Sequence, residues 1–127
     1  MTNKIRPTSP HLQIYRLPLT AKMSISHRIT GVLLSAGLVL TVWFLMALAG
    51  GQSSWQTAHA LLSNGFGQLI LFGFTLVLNY HLCNGIRHLF WDAGQGFSLE
   101  AAGRNNKIVL AASAILTVLV WLAALAA

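Results

Sequence analysis

The sequence predicts an all-α membrane protein with three transmembrane helices. Three observations carry that prediction. Charged side chains make up 8% of the 127 residues and hydrophobic ones 55%, whereas a soluble domain averages about 25% charged. Three windows, 29–49, 65–86 and 108–127, contain no Asp, Glu, Lys or Arg. At about 1.5 Å of rise per residue, each is long enough to cross the roughly 30 Å hydrocarbon layer. The basic residues also fall asymmetrically. Lys4, Arg6, Arg16, Lys22 and Arg28 precede or open the first window, and Arg87, Arg104 and Lys107 flank the second connection. The first connection, 50–64, carries no charge. The positive-inside rule then places the N-terminus and second connection in the cytoplasm and the C-terminus outside. This distribution accounts for the net charge of +6 and gives no reason to expect a nucleic-acid partner, since the basic residues form no run.

Residues 1–20 read as a cytoplasmic arm, where Pro7, Pro10 and Pro18 oppose helix. No signal or transit peptide is expected, because the first apolar stretch starts late and is too long for a signal-peptide core. Thr20 is placed to N-cap a helix starting near Ala21, with the span itself at about 25–49. Gly50 and Gly51 end it. The stretch GQSSWQTAHALLSNG reads as a short outer loop, with Trp55 suited to the interface and a brief helix at 58–62. The second span runs over about 65–91 and breaks at Gly94 and Gly96. The third runs from about Asn105 over 105–127. Its Ser113 and Thr117 can bond back to their own backbone, so it reads as a packing helix. The whole chain, 1–127, reads as one transmembrane anchor domain. The lone Cys83 permits no intrachain disulfide and reads as a small buried apolar residue. His11 and His59 lie outside the spans and read as surface histidines.

The most informative segment is YHLCNGIRHLFWDAG, at the end of the second span. Ionisable groups are costly there and usually functional. On a helix at roughly 100° per residue, His88 lies about 20° to one side of His81 and Asp92 about 20° to the other. Gly85, one turn from His81, removes side-chain bulk beside it. A histidine above a notch, with a second histidine two turns on, suits a flat cofactor held edge-on. Haem is the candidate, with imidazole on iron and a cation near the propionates. The bland alternative for His81 is a hydrogen bond to a neighbouring helix. Asp92 reads either as a proton carrier or as a helix-end acid paired with His88 at i,i+4. Arg87 points about 120° away from His81 and reads as a snorkelling topology anchor.

Ser24, His27 and Arg28 form a second group at the cytoplasmic end of the first span. An Arg beside a Ser offers a cation and a hydroxyl to an oxygen-rich ligand such as a quinone carbonyl or a carboxylate. A capping Ser with positive-inside anchors is the alternative. Gly31 and Ser35 continue the Ser24 stripe and let another helix approach closely.

Two patterns, RPTSPHLQIYRLPLTAKMSISHRITG at 6–31 and HLCNGIRHLFWDAG at 81–94, occur in an order that closely resembles the cytochrome b membrane-anchor subunit of succinate dehydrogenase, respiratory complex II. The number and order of spans extend the resemblance over essentially the whole chain. It implies His81 as an axial ligand of one b-type haem iron, and His88, His27 and Arg28 near the haem propionates. It implies Ser24 and Arg28 at the ubiquinone (or menaquinone) site, with Asp92 nearby. It further implies a heteromeric anchor bundle. A second three-helix subunit supplies the other haem ligand, and an iron–sulfur subunit and a flavoprotein carry the clusters and FAD. The chain then serves succinate:quinone oxidoreduction in the respiratory chain and tricarboxylic acid cycle, contributes no catalytic residue of its own and is inactive alone. The expected location is a bacterial inner membrane in preference to a mitochondrial one. One point agrees without the resemblance: His81 is the only histidine well inside a span, so bis-imidazole ligation needs another chain. Two other classes fit the residues: a cytochrome b anchor of a fumarate reductase, hydrogenase or formate dehydrogenase, and a cofactor-free structural membrane protein.

The charge map makes a direct prediction. A reporter fused after Ala127 is active only outside the cytoplasm, and cytoplasmic activity from a correctly inserted fusion overturns the N-terminus-inside orientation.

Overall fold

The structure is a computed structural model that describes residues 14–126, so the expectations for Pro7, Pro10 and His11 lie outside the described residues. Four helices follow one another: α1 (Leu19–Ala49), α2 (Gln52–Ser63), α3 (Gly65–Asp92) and α4 (Leu99–Ala126). Of these, α1, α3 and α4 are long and apolar enough to cross a membrane. The chain is therefore all-α with three candidate spans, as its charge-free windows predict.

The helix ends differ from expectation in three places, each for a local reason. Pro18, extended at φ −63° and ψ 158°, flanks the start of α1. Thr20 does not cap α1; it lies inside the helix, and its Oγ1 accepts a 2.8 Å hydrogen bond from Asn106 Nδ2. The outer connection is a 12-residue helix, α2, which includes the brief helix expected at 58–62 and starts earlier, at Gln52. It buries Ala58, and Trp55 stands edge-on to Phe44 of α1 at 5.6 Å. At its end Asn64 accepts from Gly67 N at 2.8 Å and caps α3. The last helix begins at Leu99, about six residues before the expected Asn105. Ser98 Oγ accepts from Ala101 N at 3.2 Å, and Glu100 sits in the first turn, where the helix dipole favours an acid. Between α3 and α4 the chain reverses through Gly94 (φ 78°) and Gly96 (φ 81°), left-handed conformations that only glycine adopts without strain.

Helix α3 packs along both α1 and α4. The outward surfaces are apolar, with Val32, Val39, Met46, Leu89 and Leu125 among many exposed large side chains. The interior is the reverse. Among the described residues, apart from Gly67, the buried set is Asn79, Asn84, Arg87, Asn106, Ser113 and Thr117, with only Met23, Ala58 and Val109 as hydrophobic members. Lipid makes this arrangement favourable. Apolar side chains gain nothing by leaving hydrocarbon, so packing and interhelical hydrogen bonds hold the helices together. Ser113 and Thr117 do bond back to Leu110 O (3.0 Å) and Ser113 O (2.8 Å). They are buried against α3, however, and Thr117 Oγ1 also accepts from Asn79 Nδ2 at 3.1 Å.

Arg87 corrects the sequence reading. It does not snorkel; it is 3% exposed. One guanidinium nitrogen donates to Asn106 Oδ1 and lies 3.8 Å from Met23 Sδ. Its Cζ stands 4.5 Å over the Trp91 ring, a cation–π contact. Asn106 then donates to Thr20, so a single polar chain joins α3, α4 and α1. Losing a hydrogen bond to a charged group costs about 1.5–3 kcal/mol, whereas interhelical bonds between neutral groups in membranes average about 0.6 kcal/mol. Asn106→Leu is therefore expected to lower stability several-fold more than Thr117→Val. Denaturation midpoints of the purified protein in detergent provide the check; equal losses would show that the Arg87 contact does not dominate the seam.

Candidate functional site

Three imidazoles meet where α1 crosses α3. His27 and His81 stack with ring centroids 3.9 Å apart and planes 19° from parallel. His88 lies on the other side of His27, at 5.1 Å and 36°, and stands edge-on to Trp91 at 5.1 Å. The antiparallel register explains the column. A Cβ at Gly85 would lie 3.9 Å from His27 Cε1. The notch one turn from both His81 and His88 is thus where the His27 ring lies. His27 therefore shares the depth of His81, and the expectation that His81 alone lies well inside a span is corrected.

Two further features fix His81. A Cβ at Gly31 would stand 3.3 Å from His81 Cε1, so glycine lets the ring lie against α1. Gly37, two turns on, admits Phe74 in the same way, with a Cβ there only 2.8 Å from the ring. Gly31 gives the close approach expected of the Ser24 stripe, whereas Ser35, the other residue expected to do so, is exposed, and Gly37 admits Phe74 from a face about 120° away. Thr30 Oγ1 lies 3.0 Å from His81 Nδ1 and donates to its own helix at His27 O, 2.8 Å away. Next to His81, Tyr80 Oη donates to Met23 O at 3.1 Å, a second tie between α3 and α1.

The other predicted residues are less engaged. Ser24 is half-buried and Arg28 exposed, one turn apart on α1. Asp92 is exposed at the last position of α3. Among the described residues it makes no hydrogen bond to His88, whose ring faces Trp91 instead. His59 is exposed beside Trp55, and Cys83 is a half-buried free thiol.

The sequence reading gave no role to Thr30, Tyr80, Asn84 or Asn106. Thr30 and Asn84 stand inside the two quoted patterns, and an amide within an apolar run is itself a signal of an interior contact. Asn84 is fully buried with neither side-chain amide atom partnered, and His27 Nδ1 is likewise buried without a partner. Stacked rings do not converge their nitrogens on one point. Consistently, no group of three His, Cys, Asp or Glu side chains among the described residues is placed to hold a metal ion.

Comparison with known proteins extends these observations. Residues 2–120 match the family model described as succinate dehydrogenase/fumarate reductase transmembrane subunit. The chain is 46% identical over 114 residues to the succinate dehydrogenase cytochrome b556 subunit of Paracoccus denitrificans, covering 90% of this chain and 88% of that one. It is 40% identical to the protein of the same name from Rickettsia felis, covering 91% and 90%. With the mitochondrial succinate dehydrogenase cytochrome b560 subunit of Sus scrofa it shares 42% identity, over 90% of this chain and 66% of that one. Bacterial and mitochondrial membranes are thus both represented among its relatives. With three apolar helices, the matched patterns and near full-length similarity, the chain belongs to the succinate dehydrogenase/fumarate reductase transmembrane-subunit family.

Proposed function

We propose that this chain is the cytochrome b membrane-anchor subunit of a succinate:quinone oxidoreductase, holding one b-type haem jointly with a partner subunit and forming part of the quinone site. The observation that carries this reading is the imidazole column His81–His27–His88 at the α1–α3 crossing, in a chain whose relatives are named cytochrome b subunits.

The residues fit the group. His81 lies in a glycine notch and is engaged through Nδ1, which leaves Nε2 for iron. His27 has a buried Nδ1 with no protein partner, as suits a donor to a carboxylate. When bound, haem would supply a one-electron centre at this site. His81 would hold the iron through Nε2, and His27, His88 and Arg28 would donate to the propionates. Because one chain offers one axial imidazole, a second three-helix subunit provides the other.

Ser24 and Arg28 bind the quinone headgroup. Their hydroxyl and guanidinium donate to a carbonyl oxygen and stabilise negative charge as it is reduced, a preorganised electrostatic contribution. Asp92 stands at the same end as a carrier of protons from the cytoplasm. Succinate oxidation takes place in a flavoprotein, and its electrons cross an iron–sulfur subunit; this chain has no dinucleotide fingerprint and a single cysteine. The proposed setting is a bacterial cytoplasmic membrane with the N-terminus inside.

Two experiments on the intact complex test the reading. His81→Leu is expected to lose or perturb a low-spin b-type spectrum, reduced minus oxidised, while His88→Ala keeps the haem with a shifted potential. An unchanged spectrum in His81→Leu rules out axial ligation. Ser24→Ala and Arg28→Leu are expected to slow quinone reduction roughly tenfold to a hundredfold, on a lost charged bond of about 1.5–3 kcal/mol. Succinate oxidation by an artificial acceptor upstream is spared. Arg28→Lys rescues only in part, since an ammonium lacks the planar fork. Wild-type quinone turnover in Ser24→Ala would remove the headgroup from α1.

A further inference from the structure

We infer that Thr30 is a positioning residue that fixes the tautomer of His81 and so determines which imidazole nitrogen is free for a metal. The inference rests on the proposed axial role of His81 and deepens it.

The argument is a count of protons. A threonine hydroxyl has one hydrogen to donate and two lone pairs to accept with. Thr30 Oγ1 lies 2.8 Å from His27 O, three residues back on its own helix, and a carbonyl only accepts. The hydroxyl proton is therefore directed to His27 O, and only a lone pair faces His81 Nδ1 at 3.0 Å. For that contact to be a hydrogen bond, Nδ1 must carry the proton. A neutral imidazole protonated on Nδ1 has its lone pair on Nε2. The relay His81 Nδ1–H to Thr30 Oγ1–H to His27 C=O thus satisfies every donor and presents Nε2 as the ligand atom. The opposite arrangement, with Thr30 donating to Nδ1, gives up the His27 carbonyl and leaves Nε2 protonated and unable to bind a metal.

The surroundings leave His81 few other options. Gly31 confines its ring on one side and the His27 ring covers a face at 3.9 Å. The relay also ends on the backbone of His27, so Thr30 couples the ring orientation of His81 to the turn of α1 that carries its stacking partner. Outer partners of this kind hold a metal-bound imidazole in place and raise its basicity; their loss typically costs about 10–100-fold in metal affinity. A more basic imidazole favours ferric over ferrous iron, so removing the acceptor should raise the reduction potential.

The test uses the intact complex with Thr30→Val, which keeps the β-branch and volume and deletes the hydroxyl, beside Thr30→Ala and Thr30→Ser. The readouts are haem retention under competition by a haem scavenger, a potentiometric titration and the low-spin g-values by electron paramagnetic resonance. In both hydroxyl-free variants, haem is expected to be retained about tenfold less tightly or worse. The ferric preference falls by up to about tenfold, an upward shift of about 59 mV for a one-electron couple. The g-values should move as well, and Thr30→Ser should match the wild type. Thr30→Ser shifted as far as Thr30→Val, or all three variants unchanged, overturns the inference. If Thr30→Val does not assemble, the pair Thr30→Ala and Thr30→Ser decides by the same readouts. His81→Leu separates the two levels: a normal haem spectrum there removes the axial reading itself, whereas haem loss there with wild-type Thr30 variants removes only the role of Thr30.

Discussion

A buried arginine sets the rotation of the central helix, and the site depends on that rotation. Arg87 is held against α4 by Asn106 and against its own helix by Trp91, and Asn106 reaches on to Thr20 of α1. Taking a guanidinium out of water is costly, and Arg87 Nε and Nη2 are buried without a partner, so its one hydrogen-bonded nitrogen and the Trp91 contact limit the positions it tolerates. Six residues separate Arg87 from His81, which puts them about 120° apart around α3. Turning Arg87 towards α4 therefore turns His81 towards α1. The structural cation and the imidazole column are two consequences of one helix orientation.

On the α1 side the constraint is steric. Gly31 and Gly37 let α3 side chains lie against the α1 backbone, and Gly85 returns the accommodation by admitting His27. Tyr80 and Thr30 then tie the helices by hydrogen bonds within the same few turns. Every member of the column comes from a helix, with no loop contribution, which suits a site whose geometry must be held closely. The polar seam on α4 and the small-residue seam on α1 serve different ends. The first supplies attraction in a medium where apolar packing alone discriminates poorly, and the second supplies proximity.

The spans were legible because their signal is compositional. Charge-free runs long enough to cross a bilayer locate α1, α3 and α4, and Gly50, Gly94 and Gly96 mark their ends as expected. The first half of α2 was hidden because residues 52–57 are neither charged nor strongly apolar, whereas a helix over 58–62 was legible. Its helicity follows from its place against α1 and α3, where Ala58 is buried. The early start of α4 lay outside its apolar window, in a capping turn at Ser98 and Glu100 that composition does not reveal. At the site, the stripe of His81, Gly85 and His88 could be read from the period of one helix. The placement of His27 between them could not, because it depends on the register between two helices. Arg87 was misread for the same reason: a cation at the end of a span looks like a topology anchor until Asn106, 19 residues away, is seen to accept from it.

On the proposed function, one imidazole offering Nε2 to a metal leaves the anchor incomplete by itself. The His27 ring stacks on one face of His81 and separates it from the tilted His88 ring, so the three do not converge on one point. The same incompleteness is visible on the surface, where Ile25, Ile29 and Val32 of α1 and Leu82, Ile86 and Leu89 of α3 are exposed apolar side chains close in sequence to the column. In a three-helix subunit all of that surface must meet lipid or another helix. On the proposed function part of it meets the second anchor subunit, and assembly and cofactor loading then share one interface. The division of labour follows from chemistry. On that reading, bound groups and soluble subunits carry the electrons, and this chain contributes what a helix bundle does well: fixed dipoles, one oriented imidazole and a low-dielectric setting in which both are strong.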